Sequence, residues 1–386
     1  MKHRSSRRNF LTAGVALPLT GATLWRETAA RLTPSSAPGP HLSYRVLGKT
    51  GLKLTTLGFG CMITSDASVI ERAADLGINH FDTARGYQGG NNERMVGAAL
   101  KRKRSEVVIS SKSHAHDKGG ALADLDTSLR ELGTDHLDIW YLHNRSNPDE
   151  VTDELVEAQQ IAKQQGKIRF AGVSTHDPKV MVPAMARKGV MDVVLVTYNF
   201  SMDPGVGAVL AEGNKAGLGI VGMKVMAGGY RRFGHAAPEA REKLARDGAM
   251  LAALKWVLKD PNVHSTIPSM TDMDQLEENL RAMAEPYGPA EEKLLARQLE
   301  HISPLYCRMC GECAGTCARG LPVSDILRHL TYAEGYGQFA LGREEFQKLG
   351  PEIAAVRCAD CAGCTVQCPY GVQVVARLRR AQELFA

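Results

Sequence analysis

Between residues 55 and 284 the sequence changes character eight times, from a short apolar β-prone run to an amphipathic helical run. The β-prone runs fall near 55–60, 80–82, 107–111, 138–142, 170–174, 193–197, 219–223 and 265–267. The helical runs follow at 67–76, 92–100, 122–132, 153–165, 178–187, 207–216, 249–258 and 275–284. Strands separated by helices imply βαβ units and a parallel sheet. Eight units within this length predict a closed (β/α)8 barrel, a TIM barrel, rather than an open doubly wound sheet. In such a barrel the chemistry sits at the C-terminal ends of the strands, so polar residues that end an apolar run are the ones to inspect.

The chain has 386 residues, enough for about two domains, and 44% of them are hydrophobic, which excludes disorder and coiled coil as its main character. The first thirty residues read as an export address. Lys2, Arg4, Arg7 and Arg8 precede a weakly apolar stretch, and Thr28-Ala29-Ala30 offers a small-residue cleavage site. The segment Ser6-Arg7-Arg8-Asn9-Phe10-Leu11 resembles a twin-arginine signal, which implies periplasmic export of a folded protein. The alternative is a basic disordered tail. Cleavage after Ala30 brings the formal charge from +5 to +1, so nothing points to nucleic acid. The longest uncharged apolar run, 9–25, is too short and interrupted to span a bilayer, so no integral span is expected in the mature chain. Residues 31–43, rich in Pro, Ser and Thr, read as a linker. The barrel is expected over 44–287 and a second domain over 288–386.

Four polar residues end successive apolar runs or follow them closely. Asp82 ends the second, Tyr87 follows five residues later, Lys112 ends the third and His143 the fourth. Singly, each has a bland reading as a turn cap, a solvated end or a satisfied core histidine. Together they form a constellation. With Leu57-Gly58-Phe59-Gly60, Asn92-Glu93-Arg94, Gly172-Val173-Ser174 and Glu278-Asn279, they make residues 44–284 resemble the aldo-keto reductase family. The resemblance implies an oxidoreductase that reduces a small carbonyl, or oxidises an alcohol, with a nicotinamide cofactor. Tyr87 would be the general acid, Lys112 would lower its pKa, Asp82 would fix Lys112, and His143 would orient the carbonyl. A phenol titrates near 10, and a neighbouring ammonium makes it a better donor by stabilising the phenolate.

The same resemblance implies cofactor contacts from Ser174, Tyr198, Asn199, Lys224, Glu278 and Asn279. The loop that begins at Ala227 and contains Gly228-Gly229-Tyr230-Arg231-Arg232 could fold over a pyrophosphate, or be an exposed basic loop. NAD and NADP both remain open. The family places Lys and Arg where this chain has Ser269 and Gln275, with Asp272 and Asp274 beside them, and a 2′-phosphate wants cations there. His114 and His116 read as loop histidines, and Cys61 as a small buried apolar residue.

The other eight cysteines form two runs of identical spacing. Cys307, Cys310, Cys313 and Cys317 repeat as Cys358, Cys361, Cys364 and Cys368, which Pro369 follows. Zinc prefers two pairs of thiols separated by a longer loop. Disulfides suit an exported chain, but two-residue spacings close poorly. The spacing resembles a two-cluster ferredoxin, in which the fourth cysteine of each run ligates the other cluster. That implies two [4Fe–4S] clusters, one on Cys307, Cys310, Cys313 and Cys368, the other on Cys358, Cys361, Cys364 and Cys317. Helical stretches at 323–333 and 343–348 make the tail resemble the α-helical ferredoxin type. The expected architecture is therefore an α/β (β/α)8 barrel followed by a small, mostly α-helical, ferredoxin-like domain. A redox partner protein is expected. The competing reading is an electron-transfer protein whose barrel is only a docking scaffold, and a third makes the clusters structural.

Overall fold

A computed structural model describes residues 40–229 and 248–386. The signal, most of the linker and the loop from Tyr230 lie outside the described residues. The described residues open with an antiparallel hairpin, β1 (Tyr44–Val46) and β2 (Lys53–Thr55); the strand predicted near 55–60 takes in only the last residue of β2 and leaves β1 out. Eight parallel strands follow: β3 (Phe59–Gly60), β4 (His80–Asp82), β5 (Val108–Ser113), β6 (Leu137–Leu142), β7 (Ile168–Thr175), β8 (Val193–Thr197), β9 (Gly219–Met223) and β10 (Ser265–Thr266). Bridges from Leu57 to Thr266 and from Gly60 to Ser269 join the last strand to the first. A Cβ on Gly60 would stand 2.4 Å from the Ile267 carbonyl, so this seam needs glycine.

The helices that cross between strands are α1 (Ala67–Asp75), α2 (Asn91–Leu100), α3 (Lys118–Leu132), α4 (Asp153–Gln164), α5 (Pro178–Lys188), α6 (Gly205–Lys215), α7 (Ala249–Leu258) and α8 (Met273–Leu280). Five of them start where Asp66, Asp117, Thr152, Asp177 or Asp272 accepts a backbone N–H of the first turn. Strands β6 and β8 are buried on both faces, which explains their nearly continuous apolar runs. One core lies between strands and helices, around Trp140, Leu155 and Leu254. A second fills the barrel interior, where Leu47, Leu52 and Leu54 of the hairpin meet Ile139, Leu195 and Val221.

Beyond the barrel come α9 (Pro289–Ile302), α10 (Val323–Glu334), α11 (Phe339–Gln347), α12 (Pro351–Ala355) and α13 (Val374–Phe385). The sequence reading contained α10 and α11 and missed α9, α12 and α13. The tail has a core of its own, centred on Ile326, Leu330, Phe346, Leu378 and Phe385. Ion pairs from Glu334 to Arg377 and Arg380 tie α10 to α13. Residues 40–386 form one compact unit. Among the described residues no helix is long and apolar enough to cross a membrane.

Candidate active site

The four residues singled out in the sequence meet at one end of the barrel. Asp82 ends β4, Lys112 lies near the end of β5, and His143 follows β6 directly. Tyr87 stands on a single 3-10 turn, Tyr87–Gly90, reached from β4 through Thr83 and Ala84. The Lys112 ammonium is buried, ion-paired to buried Asp82, and donates to the Thr83 carbonyl at 2.6 Å. The Ser110 hydroxyl donates to the other Asp82 oxygen at 2.6 Å. Lys112 Nζ lies 4.8 Å from the centre of the Tyr87 ring, and the His143 ring meets Tyr87 edge-on at 5.8 Å.

The Asn92-Glu93 pair explains how these strand ends are held. Asn92 donates to the Cys61 carbonyl at 2.8 Å and accepts from Thr83 at 2.6 Å. Glu93 accepts from Ser111 at 2.6 Å and pairs with Arg85. Cys61 is fully buried, as expected of a small apolar residue. His114 stacks on His143 at 3.9 Å, so this loop histidine belongs to the site, whereas His116 Nδ1 lies 3.1 Å from Arg145.

The electrostatics depart from one expectation. Burial pushes the Tyr87 phenol well above its ordinary value, and Asp82, Tyr332, Cys61 and Glu345 push the same way. The Lys112 ammonium, ion-paired to Asp82, does not reverse this rise. Burial pulls Lys112 itself down, against the pull of Asp82. Burial also holds His143 well below its ordinary value, helped by His114, Lys112, His176 and Arg328, so the imidazole is neutral. Its Nδ1 is buried without a hydrogen-bond partner.

A cleft of about 320 Å³ runs from Tyr87 and Asp82 past Lys224 to Ser269, Gln275 and Asn279. Asn279 is buried, and neither its Oδ1 nor its Nδ2 has a partner, so it offers a free amide to whatever enters. Gln275 is spent on Thr271 and Asp272, and among the described residues no lysine or arginine lines this end of the cleft. Three expected cofactor contacts do not face the cleft. The Tyr198 hydroxyl donates to Asp260 at 2.8 Å and its ring packs on Trp256, in the layer between strands and helices. Asn199 braces Ser201 and the Lys224 carbonyl. Ser174, near the end of β7, is buried and accepts from the Asn144 N–H at 2.8 Å. Glu278, on α8, is also absent from the cleft wall. Strand-end position alone could not say which way these side chains turn.

The tail supplies the rest of the wall, and the sequence reading missed it. Tyr332 on α10 takes Lys224 Nζ at 3.3 Å from its hydroxyl and 4.4 Å from its ring centre, and Tyr336 adds a second ring at 5.2 Å. Gly335 packs so closely on barrel residue Gly228 that a Cβ would come within 2.2 Å of the Gly228 carbonyl. Tyr306, one residue before the first cysteine run, accepts from Asn199 at 3.3 Å. No motif marks these tyrosines. Only their place beside the cysteine runs gives a hint.

The cysteines divide in the crossed manner expected. Cys307, Cys310, Cys313 and Cys368 line one small cavity, and Cys317, Cys358, Cys361 and Cys364 line another. Thr365 bonds the Thr316 carbonyl at 2.6 Å and thereby ties the second run to the first. All nine cysteines are free. Among the described residues no three His, Cys, Asp or Glu side chains are grouped to hold a single metal ion.

The comparisons with known proteins bear on the barrel. Residues 63–297 match the model of the aldo/keto reductase family. An uncharacterised oxidoreductase of Bacillus subtilis, YqkF, is 28% identical over 68% of this chain and 97% of its own length. L-galactose dehydrogenase of Arabidopsis thaliana is 27% identical over 63% of this chain and 89% of its own. Among solved structures, the holo form of aldo-keto reductase AKR11C1 from Bacillus halodurans aligns with a TM-score of 0.57. It is 25% identical and covers 67% of this chain and 96% of its own. The family match ends ten residues before the first cysteine run.

Proposed function

Since the chain belongs to the aldo/keto reductase family, we propose that this oxidoreductase interconverts a small carbonyl and its alcohol on a nicotinamide dinucleotide. We further propose that its tail holds two [4Fe–4S] clusters. The observation that carries the catalytic part is the buried Asp82–Lys112 pair set against Tyr87, with neutral His143 at the ring edge. A bound reduced nicotinamide supplies the hydride. Tyr87 keeps its proton at neutral pH and donates it to the oxygen that gains charge. Lys112, held by Asp82 and the Thr83 carbonyl, compensates the phenolate left behind. His143, with its free Nδ1, orients the substrate oxygen.

The cleft residues fit an elongated polar ligand. Asn279 brings an unpaired amide, and Lys224 an ammonium that has no carboxylate partner among the described residues. Among the described residues no cation stands beside Ser269, which favours NAD over NADP, because a 2′-phosphate needs charged donors. Such a cofactor would be loaded before the twin-arginine route exports the folded chain to the periplasm.

The cluster part rests on the two four-thiol cavities. Each brings together three cysteines of one run and the fourth of the other, the donor set of a two-cluster ferredoxin. The cavity with Cys307 measures about 20 Å³ and that with Cys317 about 230 Å³, so the first loop must spread to seat a cluster.

A second reading, a barrel that only docks a partner, is favoured by Tyr198 and Asn199 facing away from the cleft. One experiment separates the two. Protein isolated without oxygen is analysed for iron, sulfide and extracted dinucleotide. Wild type and Tyr87→Phe are then assayed on a panel of aldehydes and ketones. Turnover that depends on Tyr87 supports the enzyme, turnover indifferent to Tyr87 overturns the role given to that residue, and a wild type that turns over nothing leaves the scaffold.

A further inference from the structure

The two four-cysteine cavities differ in their surroundings. The inner one is lined also by Arg308, Glu312 and Tyr370. It adjoins a crevice whose walls include the barrel residues Asp177, Lys179, Met202 and Asp203, and Cys310 belongs to both. The outer one is lined by tail residues alone. Arg319 and Arg379 are among them, and no carboxylate is. Arg357 precedes Cys358, one of its thiols.

All three arginines are exposed, and among the described residues none makes an ion pair. Their neighbours behave differently. Arg377 and Arg380, on the same helix as Arg379, are tied to Glu334. Asp360, in the turn after Cys358, is the acid of this loop. Arginine is charged at any working pH, so the rim is a permanent patch of positive potential. It surrounds the cysteine site that lies away from the barrel.

We propose that the outer four-cysteine cavity is the port through which electrons enter or leave the chain, and that its arginine rim docks an acidic one-electron carrier protein. This rests on the cluster reading above. At each encounter one electron passes between the carrier's own redox centre and the outer cluster. One is oxidised as the other is reduced, no bond is made or broken, and no proton moves. Charge complementarity identifies the occupant: unpaired guanidinium groups attract carboxylates, and such fields raise encounter rates by roughly 10 to 10³-fold. They act within a screening length of about 8 Å at physiological salt.

The test uses the full chain, purified without oxygen. Iron, sulfide and the spin-resonance signal of the reduced protein are measured first. A chain that lacks clusters overturns the cluster reading and the port with it. With clusters present, the reduced protein is mixed rapidly with anionic anthraquinone disulfonate, with cationic hexaammineruthenium(III), and with an acidic plant-type ferredoxin. The anionic reagent and the ferredoxin are expected to react about tenfold faster at low salt than at high salt. The cationic reagent should show the opposite trend. The combined variant Arg319→Glu, Arg357→Glu, Arg379→Glu should reverse that order while iron content and aldehyde turnover stay unchanged. Should it lose iron, Arg379→Gln alone is expected to reduce the salt dependence. Rates in wild type that ignore reagent charge, or a preference that survives these substitutions, would overturn the port while leaving the clusters in place.

Discussion

The barrel and the tail meet the same physical problem with different means. The barrel buries a large continuous core, closes its sheet on itself, and pairs its deepest charge, Lys112, with Asp82. It can fold on apolar burial and ladder hydrogen bonds. The tail has a small core from short helices, with eight free thiols gathered around it. A segment of that size seldom supplies enough burial alone and usually needs a metal or cross-links. The contrast teaches that the barrel's chemistry is an addition to a fold stable without it. In the tail, if the proposed clusters are bound, cofactor and fold are one problem.

The strongest way to break this contrast is Tyr87→Phe. Removing one phenolic oxygen from the barrel is expected to lower turnover by about 10² to 10⁴-fold while the tail's visible absorbance is unchanged. Loss of absorbance together with turnover would mean that the two regions are not separable. The converse change is Cys368→Ala. It should remove the proposed cluster on Cys307, Cys310, Cys313 and Cys368, roughly half the iron, and expose α10 and α13 to protease. The barrel should still unfold cooperatively, and Cys317→Ala should empty the other site instead. Iron loss of equal pattern in both variants would contradict the crossed pairing.

Acid should act on both regions through buried histidines. Burial pushes His80 in the barrel down to about 4 and His329 in the tail down to about 3. The unfolded chain titrates near 6.5 and so binds protons that the folded chain refuses. Stability is therefore complete above about pH 6.5 and falls as pH drops toward 4. The loss is roughly 3 kcal/mol for His80, at about 1.4 kcal/mol per unit. Denaturant titrations between pH 7 and 4.5 will measure it, and a flat profile would refute it. The smallest effect concerns the seam between the regions. Gly335→Ala places a Cβ against the Gly228 carbonyl and should cost about 1–3 kcal/mol by overpacking. Loss of the Lys224–Tyr332 contact should accompany it, visible as weaker dinucleotide binding in a fluorescence titration.

Much of this was legible in the sequence. The period of the apolar runs gave all eight parallel strands, and four polar strand ends gave the site. The duplicated cysteine spacing gave the grouping of thiols that the two cavities display. The end of β2 was joined to β3 because the one runs almost directly into the other, and β1 went unread. The contacts of Tyr198, Asn199 and Ser174 were misplaced for another reason. The residues that end β8 and β7 can turn toward the mouth or toward the helix layer, and Asp260, sixty-two residues beyond Tyr198, decided the matter.

By itself, then, the sequence determined the repeat of strands, the identities at the strand ends and the spacing of the thiols. These depend on local periodicity and on the reach of a few residues. Only the tertiary structure decided that the tail forms a wall of the cleft, with Tyr332 and Tyr336 on Lys224 and Gly335 against Gly228. Those contacts join residues more than a hundred positions apart. Their energy comes from packing two finished surfaces, and no local pattern encodes it.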